Sequence, residues 1–160
     1  MAQSLLTEQL PWTPIGSWTA AAAATPAVAA RAYGDVESLA GAYIFTPRAD
    51  RNAIEIRFTG STDGHSLVFD LMACRGNGDY FTRIATITCT VGTMQKGSAS
   101  VLFVDTIVLS NTAWPTAKIE AISDAGNYAA KVWLDGMGYA AFALVATTIN
   151  GTATAEYSGV

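Results

Sequence analysis

From Gly41 to the C-terminus the chain is a succession of short β-type runs broken by Gly, Asp and Asn, with no helix-length amphipathic pattern among them. That pattern confines residues 41–160 to the all-β class. The clearest run is Ala53–Thr59, where Ile54, Ile56 and Phe58 alternate with Glu55 and Arg57. A period of two marks a strand buried on one face. Ser61–His65 has turn chemistry, after which Leu67, Phe69, Leu71 and Ala73 share one face of the next strand. Arg75–Asp79 (RGNGD) is a second turn. Tyr80–Val91 resumes the alternation, with a slip between Ile84 and Ala85 that predicts a β-bulge. Beyond it Thr86, Thr88 and Thr90 oppose Ile87, Cys89 and Val91.

Val101–Leu109 (VLFVDTIVL) is almost wholly apolar and predicts a central strand covered on both faces. Ala42–Thr46 and Ala117–Ile122 are shorter candidates, and Asp124–Asn127 (DAGN) is a turn. Tyr128–Leu134 and Tyr139–Thr147 flank Asp-Gly-Met-Gly and predict a hairpin. Asn150-Gly151 then precedes a final edge strand over Thr152–Tyr157. Seven to nine short strands at this spacing predict an antiparallel, jelly-roll-like β-sandwich over residues 41–160.

Residues 1–40 differ in character. They hold eleven Ala and only four charges, Glu8, Arg31, Asp35 and Glu37. Pro11 and Pro14 favour extended backbone, and Ala at 19–24 favours a helical turn that Pro26 limits. The segment therefore reads as an extended N-terminal arm, with Leu10, Trp12, Ile15 and Trp18 as its apolar anchors. Thr19–Ala30 (TAAAAATPAVAA) has the texture of a secretory signal, but no Lys or Arg precedes it, and Trp12, Trp18 and two prolines do. Secretion by that route is not expected.

Composition narrows the function. Hydrophobic residues make up 51% and charged residues 14%, against about 25% charged in an ordinary domain. So little charge implies either a surface made polar by Thr, Ser and Asn or much surface hidden against partners, and the second reading is favoured. The net charge of −4, with nine scattered basic residues, argues against nucleic acid. No apolar run is long enough to predict a membrane-spanning helix.

The chemistry-bearing residues are few. His65 is the only histidine and lies in a turn, so a nucleophile-and-base site is not expected. Most of the aspartates sit in turn chemistry; Asp70 and Asp105 interrupt strands, where a lone carboxylate usually points to solvent or pairs with Arg, so a catalytic pair is not expected from them. Turn oxygens near 124–138 offer a calcium alternative without any recognised loop pattern. Cys74 and Cys89 sit in apolar strand patterns and read as buried thiols, with a disulfide left open. Trp114 and Trp133 offer flat faces to a sugar ring or, equally, pack at the rim of the core. No catalytic residue, cofactor or metal is expected.

Ile119–Thr147 (IEAISDAGNYAAKVWLDGMGYAAFALVAT), behind a low-charge arm, resembles the decoration or cement proteins and related auxiliary structural proteins of tailed bacteriophages. The resemblance covers mainly the C-terminal third. It implies a β-sandwich, a homo-oligomer that is most simply a trimer, and arms that grip the major capsid protein or other virion proteins. It also implies a place in the virion, with assembly in the host cytoplasm. No single residue carries over, because such proteins work through surfaces. On this reading the arm is the assembly element, and a chain lacking residues 1–18 folds but does not assemble. The alternative is a carbohydrate-binding or adhesion module of a phage tail structure, with Trp114 or Trp133 facing the ligand.

Overall fold

The structure, a computed structural model, describes residues 12–19, 30–46, 51–59, 64–76, 80–96, 98–110, 119–124, 127–135 and 138–159. They form two antiparallel sheets packed face to face, an all-β sandwich. In chain order the strands are β1 (Thr13–Trp18), β2 (Ala30–Ala32), β3 (Ala42–Phe45), β4 (Arg51–Thr59), β5 (Ser66–Cys74), β6 (Tyr80–Lys96), β7 (Ala99–Ser110), β8 (Ile119–Asp124), β9 (Asn127–Asp135), β10 (Ala141–Ile149) and β11 (Thr152–Gly159). A single short helix, α1 (Tyr33–Glu37), follows β2. The first sheet has the order β1-β11-β4-β9-β8, the second β2-β6-β5-β10-β3, with β7 paired to β6.

Period-two faces become the core. Ile54 and Ile56 of β4, Leu67, Phe69 and Leu71 of β5, and Ile87, Cys89 and Val91 of β6 are all buried between the sheets. The expected bulge is present: Leu71 pairs Ala85 while Met72 pairs Arg83, so Ile84 is the extra residue. It has a clear use. Phe81 lies on the far face of the sheet, while Ile84 and Ala85 both enter the main core. Without the bulge, residues 87, 89 and 91 would turn outward.

The arm and the sandwich are not separate. β1 and β2 both precede residue 40, and each is a strand of one sheet. β1 pairs with β11 and closes one open side. The Trp18 side chain is 1% exposed, lies edge-on to Tyr43 and Phe69 at 5.1 and 5.0 Å, and donates its indole N–H to the Gly41 carbonyl at 2.7 Å. Tyr43 in turn donates its hydroxyl to the Ser17 carbonyl at 3.0 Å. Its ring lies so close over Gly16 that a Cβ there would overlap it. Gly16 follows a bulge that leaves Ile15 out of register and packed against the core.

Three other expectations are corrected. Asp135 and Ala141 end and begin strands of different sheets, so Tyr128–Thr147 is a crossing rather than a hairpin. Thr152–Tyr157 is no edge strand, because β11 is held between β1 and β4. Asn150-Gly151 is the crossing before it, with Gly151 at φ 113°, a conformation that glycine adopts without strain. Finally, Val101–Leu109 is not central: β7 pairs β6 alone among the described strands. Its long hairpin runs to Lys96↔Ala99, whereas β5 accompanies β6 only as far as Thr90 in the ladder. Six residue pairs, from Val91↔Val104 to Lys96↔Ala99, therefore extend past that ladder, about 20 Å at about 3.4 Å per residue.

Candidate functional site

The two outer faces of the sandwich differ in how much charge they carry. On the first sheet one row crosses four strands: Glu120 pairs Lys131, Lys131 pairs Glu55, and Glu55 pairs Glu156. Arg57 adds a charge-assisted bond from its Nε to the Glu55 carboxylate. Opposite charges facing each other across strands stabilise, and the like pair Glu55–Glu156 is offset by its basic neighbours. Arg57 is exposed, whereas Glu55 at the centre of the row is buried.

The second sheet has no such row. Because Leu67, Phe69, Ile87 and Cys89 face the core, Ser66, Val68, Thr86, Thr88 and Thr90 face outward. Register sets Thr148, Val68, Thr88 and Val108 side by side on four adjacent strands. Val108 is 51% exposed. These residues are uncharged, and the ion pair on the same face, Asp70 with Arg83, is bonded through Asp70 to Thr86. Further along the same face, Met72, Cys74, Phe81, Ala143 and Val145 form a second apolar cluster with Val36, flanked by Tyr33 and Leu39. Residues 33–39, including α1, thus cover one half of the face, and on the other half Val108 and Thr148 are exposed while Val68 and Thr88 are partly so.

The sequence-predicted site residues fall apart in space. Leu10 and Trp114 lie outside the described residues. Trp12 is half-buried at the start of β1. Ile15 and Trp18 pack into their own subunit's core, so these two are not anchors offered to a neighbour. Trp133 holds a β9 position paired with Ala53. His65 is exposed in the turn before β5, where its carbonyl accepts the Val91 N–H at 3.0 Å.

Asp70 and Asp105 do not form a catalytic pair. Asp105 is the extra residue of a bulge between Thr106 and Val104. Asp70 sits opposite Thr86, four residues along β6 from the Thr90↔Thr106 pair. That offset alone is about 14 Å at about 3.4 Å per residue, beyond the roughly 5–9.5 Å of glycosidase carboxylates. Asp70 is instead buried, accepting the Thr86 hydroxyl at 2.8 Å and lying 3.5 Å from Arg83 Nη1.

Both cysteines are buried free thiols. Cys89 faces the main core and Cys74 the opposite cluster, so the sheet itself separates them. Burial pushes the Cys89 thiol up to about 12 from 9.0. Between these values the folded chain holds a proton that the unfolded chain has released. The stability from this group is therefore full below pH 9.0 and lost as pH rises towards 12. The slope reaches about 1.4 kcal/mol per pH unit. Urea midpoints followed from about pH 8 to 11 should fall less steeply for Cys89→Ala than for the parent chain.

Sequence reading found the outward threonines of β6 but not the surface they build. Val68, Val108 and Thr148 join them only through register across strands. Against protein-family models, curated proteins and solved structures, the chain has no match.

Proposed function

We propose that this protein is a structural subunit of a virion-type assembly, a capsid decoration or cement protein that works by covering and bridging neighbours. One observation carries the reading: the outer face of the second sheet is mostly threonine and valine, its Asp70–Arg83 pair is internally matched, and Val108 stands exposed on it. A soluble monomer places charge over its whole exterior. A face of methyls and hydroxyls is suited to an interface that covers the methyls and meets the hydroxyls with hydrogen bonds. Among the described strands β7 pairs only β6, so its other edge beside Val108 is a place where a neighbouring strand could bond. The resemblance of Ile119–Thr147 to phage auxiliary proteins supplies the more specific assignment to a virion.

The interface on this reading is the β5–β6–β7 face rather than residues 13–18, which are already committed to the core. The bare patch is small, about three strands by three rows. A stable interface buries about 800 Å² per partner, so symmetric repetition of the contact is needed.

Light scattering of the full chain tests this. A trimer of 16.7 kDa chains has a mass of about 50 kDa. Val108→Lys places a charge at the exposed centre of the face and should return the particle to 16.7 kDa without changing its circular dichroism. A parent chain that stays monomeric at all concentrations, or a variant that keeps the parent's oligomeric mass, would refute the assignment.

A further inference from the structure

At one open end of the sandwich lies a cavity of about 310 Å³, lined by Ala73, Arg75, Tyr80, Thr82, Arg83, Ile84 and Tyr139. This is at the small end of ligand pockets, which begin near 300 Å³. Among the described residues the lining contains no carboxylate, in a chain with 13 acidic and 9 basic residues. The two arginines are not equivalent. Arg83 has its guanidinium 3.5 Å from buried Asp70. Arg75 is exposed, lies 6.0 Å from the Tyr139 ring centre, and forms no ion pair among the described residues.

Tyr139 is half-buried and backed by Phe142 at 5.8 Å, so its ring is supported from within. Tyr80 is 61% exposed and Thr82 is also exposed. The wall thus combines two aromatic rings, hydroxyl groups and a cation that forms no ion pair among the described residues. The backbone there is already occupied: Tyr80–Thr82 pairs with β2 on one side, and Thr82 pairs with Ala73 on the other. A peptide cannot add as a strand at this point. A compact ring fits where an extended chain does not.

We propose that this end of the sandwich binds an acidic sugar, with the pyranose ring against the tyrosines and its carboxylate on Arg75. A guanidinium binds carboxylate through two parallel N–H bonds, and aromatic rings cover the apolar face of the sugar while Thr82 and the phenols meet its hydroxyls. This site stands apart from the threonine face and does not depend on the assembly reading. It also differs from the platform expected at Trp114 and Trp133.

The test is ligand-observed NMR on the full chain with glucuronate, glucose and acetate as probes. Glucuronate should bind, and glucose and acetate should each bind at least roughly tenfold more weakly, because each lacks one half of the recognition. Arg75→Gln and Tyr80→Ala change exposed side chains. Each should weaken glucuronate by roughly tenfold while the melting temperature stays unchanged. The proposal is overturned if glucuronate shows no binding up to about 50 mM. It is equally overturned if acetate or glucose matches glucuronate, or if Arg75→Gln binds as the parent does.

Discussion

Replacing Trp18 by alanine should destabilise the sandwich by about 3–5 kcal/mol, as large-to-small changes of buried aromatic residues do. Trp18 fills the space between Tyr43 and Phe69, and its N–H satisfies the Gly41 carbonyl. The change leaves a cavity and an unpartnered acceptor together. A typical domain holds only about 5–15 kcal/mol in reserve, so this single side chain is a large share of it. Trp18→Phe keeps most of the packing and loses the bond, and should cost about 1–2 kcal/mol. Urea denaturation followed by near-UV circular dichroism separates the two. Deleting residues 1–18 should go further, because it removes β1 from the edge of β11 and uncovers Ala153 and Ala155 of the core. The truncated chain is therefore expected to unfold or aggregate, not to fold while failing to assemble. A Trp18→Ala variant within about 1 kcal/mol of the parent would show that the strand is not integral.

The second large effect is expected at Asp70. Its carboxylate is buried, with Oδ1 taking the Thr86 hydroxyl and Oδ2 facing Arg83 without a hydrogen bond. Asp70→Ala should cost about 2–4 kcal/mol, because it strands the half-buried Arg83 charge and the Thr86 donor together. Removing the cation as well should recover much of that loss, since replacing a whole buried pair by apolar groups is often neutral. Asp70→Ala, Arg83→Met and the double variant therefore form a cycle with an expected coupling of about 1–3 kcal/mol. Strict additivity would mean that the two side chains stabilise the fold independently, and the pair would lose its structural role.

Much of the surface argument was visible early. Thr86, Thr88 and Thr90 are outward because Ile87, Cys89 and Val91 are inward, and one strand's alternation says so. Arg75, Tyr80 and Tyr139 are different. They come from β6 and from the segments beside β5 and β10, and no spacing along the chain links them.

The amino-acid sequence by itself determined what is local: the all-β class, the inward faces of β4, β5 and β6, and the bulge at Ile84. Each rests on a period of two or a break in it, which a single strand carries within itself. Tertiary structure alone decided which strands are neighbours. The few residues between Asp135 and Ala141 can turn back within a sheet or cross the roughly 10 Å between sheets, and their composition suits both. Likewise an apolar run such as Val101–Leu109 reads the same at a sheet's centre and along its rim. Trp18 is buried because Gly41, Tyr43 and Phe69 meet it from β3, β5 and the turn before β3. Burial is a property of the contacts a side chain finally makes, and those contacts lie far along the chain from the residue itself.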